Sequence, residues 1–271
     1  LSIFDNSRTK IGRAWSKYNN LEKAINSFLA SQPYSTKVVE AEDKLHLIAR
    51  QEKELPDDIH HEVVEIVGHL RAALDKMLVA IVKNNGRGTS GVSYPFGSMV
   101  NDKPDQFPTD RMTGKHGIKK KLSTDQWALI LKQNPCPQGN KRLWSVNELA
   151  NIDKHQDQLV TTEPVIGEKM LIDTNAPGAS YIKHLEIRPR SYQHLLSDPG
   201  KEVVMVSLDA KASYNLHVKH ELMANIVFKE AGSLSHSVVL QVVFEQITET
   251  EKVIRQFDGL LSGPKRTHTF Q

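Results

Sequence analysis

Between Asp57 and Gly86 the chain reads DDIHHEVVEIVGHLRAALDKMLVAIVKNNG, and this stretch constrains the fold more than any other. Val63, Ile66, Leu70, Leu74, Met77 and Ile81 recur at three- and four-residue steps, widened by Val67 and Leu78. That period places them on one face of an α-helix. Asp57 or Asp58 can cap the first turn, and Asn84, Asn85 and Gly86 provide an exit. The prediction is a central helix of about 25 residues whose apolar stripe other elements must cover.

Several segments can do so. From Ser7 to Ala30, Ile11, Trp15, Tyr18, Leu21, Ile25 and Leu29 recur with helical spacing. TKVVEAEDKLHLIARQ, residues 36–51, has two apolar runs around a charged turn at Glu42 to Lys44 and predicts a β-hairpin. TDQWALILKQ predicts a short helix stopped by Pro135 and Pro137. After His155 the pattern changes: QLVTTEPVI, KMLIDT, SYIKHLEIRP, KEVVMVSLD and NLHVKHELMANIVF predict strands. Leu240, Val243, Ile247, Ile254, Phe257 and Leu261 mark a C-terminal helix, although its β-branched beginning also fits a strand.

The expected class is therefore α+β, with a helical N-terminal half that carries an inserted hairpin and a strand-rich C-terminal half closed by a helix. The two regions would be 1–156 and 157–271, or one integrated domain if the last helix returns to the first half. Residues 87–123, rich in Gly, Pro, Asp and Lys, are expected to form a long loop.

Composition narrows the setting. A chain of 271 residues buries a sizeable core without staples. Its one cysteine, Cys136, rules out an intramolecular disulfide and points to a reducing, cytoplasmic compartment. No apolar run is long enough for a membrane-spanning helix, so no membrane partner is expected. LSIFDNSRTK has no signal-peptide core, and because it begins with Leu1, further natural sequence before it is expected. The net charge of +3 permits contact with nucleic acid without arguing for it.

The most informative site signal is LWSVNELANIDKHQDQLV, Leu143 to Val160. Ser145 and Glu148 make an S-x-x-E capping box, and Trp144 and Leu149 occupy hydrophobic-staple positions, predicting a helix that starts near Val146, or slightly earlier if Leu143 and Trp144 are already helical. Val146, Leu149, Ala150 and Asp153 then share a face. A carboxylate on that face needs a partner if it is buried, and the helix C-terminus offers none. Arg71 is the expected cation, four residues before Asp75 on the same face of the long helix. Packing of the two helices would bring Arg71, Asp75, Asp153 and His155 together. The cluster is either a salt-bridge knot that sets helix register or a ligand or catalytic site.

GHLRAALDKM (Gly68 to Met77) and LWSVNELANIDKHQ (Leu143 to Gln156) resemble a group of uncharacterised bacterial proteins. Those proteins pair two helices that carry L-R-x-x-L-D-like and I-D-K-H motifs. The resemblance spans the order of elements from about residue 8 to about residue 160, and departs at Gln156, where the group often has a basic residue. It implies that the two helices pair and implies no reaction. A looser likeness is to HEPN-like helical domains, metal-independent ribonucleases that set an Arg, a polar residue and a His on facing helices. By that likeness His155 would be the acid/base, Arg71 the phosphate clamp, and Asp153 or Asn151 the orienting group, with Asp75 a further member of the catalytic cluster. Lys154, with Lys119, Lys120 and Lys121 of KHGIKKK, would contact the RNA, in a bacterial stress or phage-defence setting. The HEPN pattern R-x4–6-H also matches RMTGKH (Arg111 to His116) and RPRSYQH (Arg188 to His194), but Gly and Pro argue against a helix in both.

Two other classes remain. His61, Glu65 and His69 are spaced four apart on one helix face and would suit Zn, Fe or Mn. No second helix offers matching ligands, and a solvated face explains them equally well. No cofactor is expected, and a divalent metal stays open. The third class is a non-catalytic binding or scaffold protein whose Arg/Asp/His centre is structural, with RNA, another protein or a second copy as partner. Tyr181, His184, Arg188, Arg190 and Tyr192 interleave basic and aromatic side chains, as single-strand binders do, or else act as polar guards on edge strands. GRGTSG (Gly86 to Gly91) lacks the G-K-[ST] ending of a nucleotide loop. Cys136, in NPCPQG, has no local base.

Overall fold

The computed structural model describes residues 2–97, 99–100, 103–104, 107–114, 117–152, 159–166, 200, 202–209, 222–229 and 231–262. The elements run α1 (Asp5–Ala30), β1 (Tyr34–Ala41), β2 (Lys44–Gln51), α2 (Asp57–Asn84), β3 (Met99–Val100), β4 (Lys103–Pro104), α3 (Asp110–Thr113), a 3-10 turn (Ile118–Lys121), α4 (Thr124–Gln133), α5 (Lys141–Ile152), β5 (Val160–Ile166), β6 (Glu202–Asp209), β7 (Leu222–Phe228), a second 3-10 turn (Gly232–Leu234) and α6 (Val239–Ser262). The class is α+β.

Two compact units form, and they do not follow a linear division at Gln156. The first takes Leu1–Asn20, His61–Asp157 and Leu240–Gln271; the second takes Leu21–His60 and Gln158–Val239. Pairing decides the exchange. The hairpin β1–β2 finds its third strand in β6, in the order β1-β2-β6, and all contacts are antiparallel. The terminal helix α6 bonds to α5 instead of to strands.

In the first unit the core is built on α2. Val63, Ile66, Leu70, Leu74, Met77 and Ile81 are all fully buried, and Val67 is 2% exposed. Each such side chain contributes roughly 1.5–3 kcal/mol of transfer free energy. Along α1 the buried line passes through Ile11 and Ala14, not through Trp15. Trp15 and Tyr18 lie at its margin, where their rings stand edge-on or tilted to Phe244 of α6, with centroids 5.6 and 6.0 Å away. The β-branched start of α6 is helical, with Val239, Val243, Ile247, Val253, Ile254 and Phe257 buried.

Residues 87–123 are not one continuous loop: β3, β4, α3 and the first 3-10 turn lie within them. The turn feeds α4, whose N-cap Ser123 accepts the Gln126 N–H while the Gln126 side chain accepts the Ser123 N–H. This is a capping box at a position the apolar pattern did not single out. Asn134 ends α4 in the left-handed region, with φ 46°.

In the second unit the hairpin turns at Glu42 and Asp43, with φ of 53° and 59°. Two consecutive positive φ values make the tight turn whose twist suits flanking antiparallel strands. β5 pairs with β7 in a separate antiparallel ladder, Val160 opposite Phe228. The segments KMLIDT and SYIKHLEIRP lie outside the described residues, as do Tyr181, His184, Arg188, Arg190 and Tyr192.

Candidate functional site

The helix α5 begins five residues earlier than the S-x-x-E signal implies. Its N-cap is Asn140, whose side chain accepts the Leu143 N–H at 3.1 Å and whose carbonyl accepts the Trp144 N–H at 2.9 Å. Ser145 is inside the helix and buried; its hydroxyl donates to the Arg142 carbonyl and accepts from Gln246 Nε2 of α6 at 2.7 Å. Ser145 and Glu148 are therefore an i,i+3 pair within a helix, not a capping box. The apolar face is Leu143, Trp144, Val146 and Leu149, all buried.

This frame sets α5 against α2 through Arg71. The guanidinium Nη1 donates to Asn147 Oδ1 of α5, and Nε donates to Asp75 Oδ2 at 3.4 Å. Its Cζ sits 4.5 Å from the centroid of the Phe96 ring, a cation–π contact. Asp75 in turn accepts the Tyr94 backbone N–H on Oδ1 at 2.7 Å. Tyr94 and Phe96 stand edge to face, 5.0 Å between centroids. Burial, helped by the negative charge of Glu249, pushes the Tyr94 phenol far above its ordinary range. One residue further on, Gly97 receives the Trp144 indole N–H on its carbonyl at 3.0 Å and donates its own N–H to Pro135 O. A segment with no regular secondary structure is thus locked to α2, α5 and the end of α4.

Arg71 and Asp75 come together as the shared helix face predicts, with side chains 27% and 32% exposed. Asn151 is exposed, one turn beyond Asn147. Asp153, Lys154 and His155 lie outside the described residues, as does His116. Asn147, Tyr94 and Phe96 escaped the sequence reading. The available signal was YPFG itself, two aromatics inside a stretch otherwise rich in Gly, Ser, Asp and Lys.

The residues Glu65 and His69 face cations, and His61 is exposed. Glu65 pairs with the Lys17 ammonium of α1, which also reaches Glu62 at 3.4 Å. That bond holds the Glu65 carboxyl below its usual range. Burial, then the positive charges of Lys10 and Arg13, lower the pKa of His69. An ammonium already occupies the carboxylate that a metal would need, and among the described residues no group of three or more His, Cys, Asp or Glu is placed to hold an ion.

Comparison with known proteins adds no relative. The chain matches no family model, no curated protein and no solved structure. Among the described residues no helix is long and apolar enough to cross a membrane.

The lysines Lys119, Lys120 and Lys121 form the first 3-10 turn. Lys121 Nζ donates to the carbonyls of Gly88 and Ser90 at 3.0 and 2.8 Å, joining KHGIKKK to GRGTSG. These two weak sequence signals thus share one place in the fold. Cys136 is buried and donates its thiol to Asn134 Oδ1.

Proposed function

We propose that the Arg71 centre is a structural tie and that the protein is a non-catalytic binding module. The observation that carries this reading is the state of Asp75. Both of its carboxylate oxygens are engaged, one by the N–H of buried Tyr94 and one by Arg71. A carboxylate with one oxygen on a backbone amide and the other on a guanidinium is placed to hold the loop and the cation in register. Arg71 is likewise held by a carboxylate, an amide and an aromatic face. Such a centre orients two helices and one irregular segment, a register role for which ionic groups are suited. The test is thermal unfolding of Arg71→Ala beside a ligand-binding assay. A lower midpoint with unchanged ligand affinity below that midpoint supports the tie, whereas an unchanged midpoint with lost binding or activity overturns it.

One observation favours a second reading, metal-independent RNA cleavage. Arg71 keeps about a quarter of its side chain exposed and contacts α5, whose sequence continues to Asp153 and His155. A histidine there would take the 2′-hydroxyl proton as that oxygen attacks phosphorus; the P–O5′ bond breaks, leaving a 2′,3′-cyclic phosphate, the departing 5′-oxygen takes a proton from water, and the guanidinium steadies the phosphate charge. Incubation with single-stranded RNA in the presence of a chelator tests it. Cleavage lost in His155→Ala at unchanged thermal stability would establish the enzyme, and no cleavage by the wild type would remove it.

A further inference from the structure

Beyond the C-terminal end of α2, the GRGTSG loop and the lysine turn enclose a cleft. Its volume is about 420 Å³, walled by residues 90–92 on one side and by Gly117, Ile118, Lys120 and Lys121 on the other. The space is within the range of small-molecule sites, roughly 300–1,000 Å³. Among the described residues its lining includes two lysines and no Asp or Glu.

The cations are placed, not merely present. Lys121 directs two of its three N–H bonds into the Gly88 and Ser90 carbonyls, which fixes the ammonium at the cleft wall and leaves one donor. Its backbone is braced too. Asn85, just after α2, donates to the Lys121 carbonyl at 3.0 Å and exchanges two hydrogen bonds with Gln126 of α4. Gly91 has φ +68°, so the opposing wall turns through a conformation that a side chain would strain. Among the described residues Lys120 forms no ion pair, and the Ser90 hydroxyl has no hydrogen-bond partner. Val92 and Ile118 add a short apolar wall.

We infer that this cleft binds a small phosphate ester of about mononucleotide size, with the phosphate between Lys120, Lys121 and Ser90 and the ring body against Val92 and Ile118. Two lysines and a hydroxyl donor, with no Asp or Glu among the described lining residues, select a multiply charged anion. The volume suits a compact ligand. The inference rests on the binding-module reading and names its ligand. The cleft lies about 20 Å along α2 from Arg71, so each part can fail without the other.

The experiment is calorimetric titration of the full chain with 5′-AMP, inorganic pyrophosphate and a short single-stranded RNA. The wild type, Lys120→Gln and Lys120→Arg are compared. Among the described residues the Lys120 side chain makes no hydrogen bond or ion pair, and its one backbone bond, to the Gly117 carbonyl, is independent of side-chain identity, so its variants should keep the fold, which circular dichroism checks. Expected are saturable AMP binding that is tighter than pyrophosphate binding, about tenfold weakening in Lys120→Gln and recovery in Lys120→Arg. Equal AMP affinity in wild type and Lys120→Gln, or no AMP binding at all, overturns the site. RNA binding without AMP binding overturns the small ligand. The midpoint of Arg71→Ala is read separately, so a failed titration leaves the structural tie standing.

Discussion

Asp75 accepts the Tyr94 backbone N–H at 2.7 Å on one oxygen while its other oxygen takes the Arg71 guanidinium, so one side chain on α2 holds both a helix partner and a loop. Replacing Asp75 by Ala should leave the amide of a buried residue and a half-buried cation without their acceptor. The expected loss is about 2 kcal/mol, or a midpoint lower by about 4–8 °C for a domain of this size. Asp75→Asn keeps an acceptor oxygen and should lose less. Equal losses in the two variants, measured by thermal or urea unfolding, would remove the amide from the account.

Glycines separate by what surrounds them. A Cβ on Gly97 would stand 2.5 Å from the Cβ of Cys136, an atom fixed to the backbone. Gly97→Ala must therefore push the segment off Pro135 and disturb the Trp144 indole bond, at about 1–3 kcal/mol. Gly68, inside α2, meets nothing within 4 Å. Gly68→Ala should raise stability by about 0.5–1 kcal/mol. Unfolding curves that moved both variants in one direction would contradict this placement.

Acid should weaken the α1–α2 contact. Burial, then Lys10 and Arg13, hold the pKa of His69 below its ordinary value, with Glu65 opposing and Lys17 adding to the shift. The unfolded chain then binds the proton first, so stability falls as pH drops through about 6.5, the unfolded value. Glu65, held low by Lys17, extends the fall through the carboxylate range in the same direction. The midpoint is expected to decline between pH 7 and pH 5.5, with a shallower decline in His69→Gln. A midpoint that rises on acidification, or a slope that His69→Gln leaves unchanged, would refute the assignment.

How much of this was legible depended on periodicity. The α2 stripe, the hairpin and α6 all rest on repeats that one-dimensional spacing records, and they appear where spacing places them. The line along α1 shifted by one residue because Ala14, small and weakly apolar, packs closer than Trp15. S-x-x-E marks a cap only if the backbone enters the helix there; the backbone enters at Asn140 instead, so Leu143 and Trp144 are already helical. Asn147 as the partner of Arg71 is a relation between two helices, and neither helix encodes it alone. Tyr94 and Phe96 belong to a segment without any period, so their role became visible only once Asp75 and Arg71 had positions. The carboxylate and imidazole of the I-D-K-H motif lie outside the described residues.

The interleaving of the two units bears on the order in which the chain can fold. Synthesis delivers α1, the hairpin and α2 early, but β6 comes long after the hairpin it joins, and α6 comes after every other described element. Neither unit can close on the segments made first. The buried stripe of α2 and the strands of the hairpin wait exposed until distant sequence arrives, the condition under which folding slows and chains associate with one another. A nascent chain halted before β6 would present the unpaired edge of the hairpin to its neighbours, so a strand made long after its partners decides when that edge stops being a hazard.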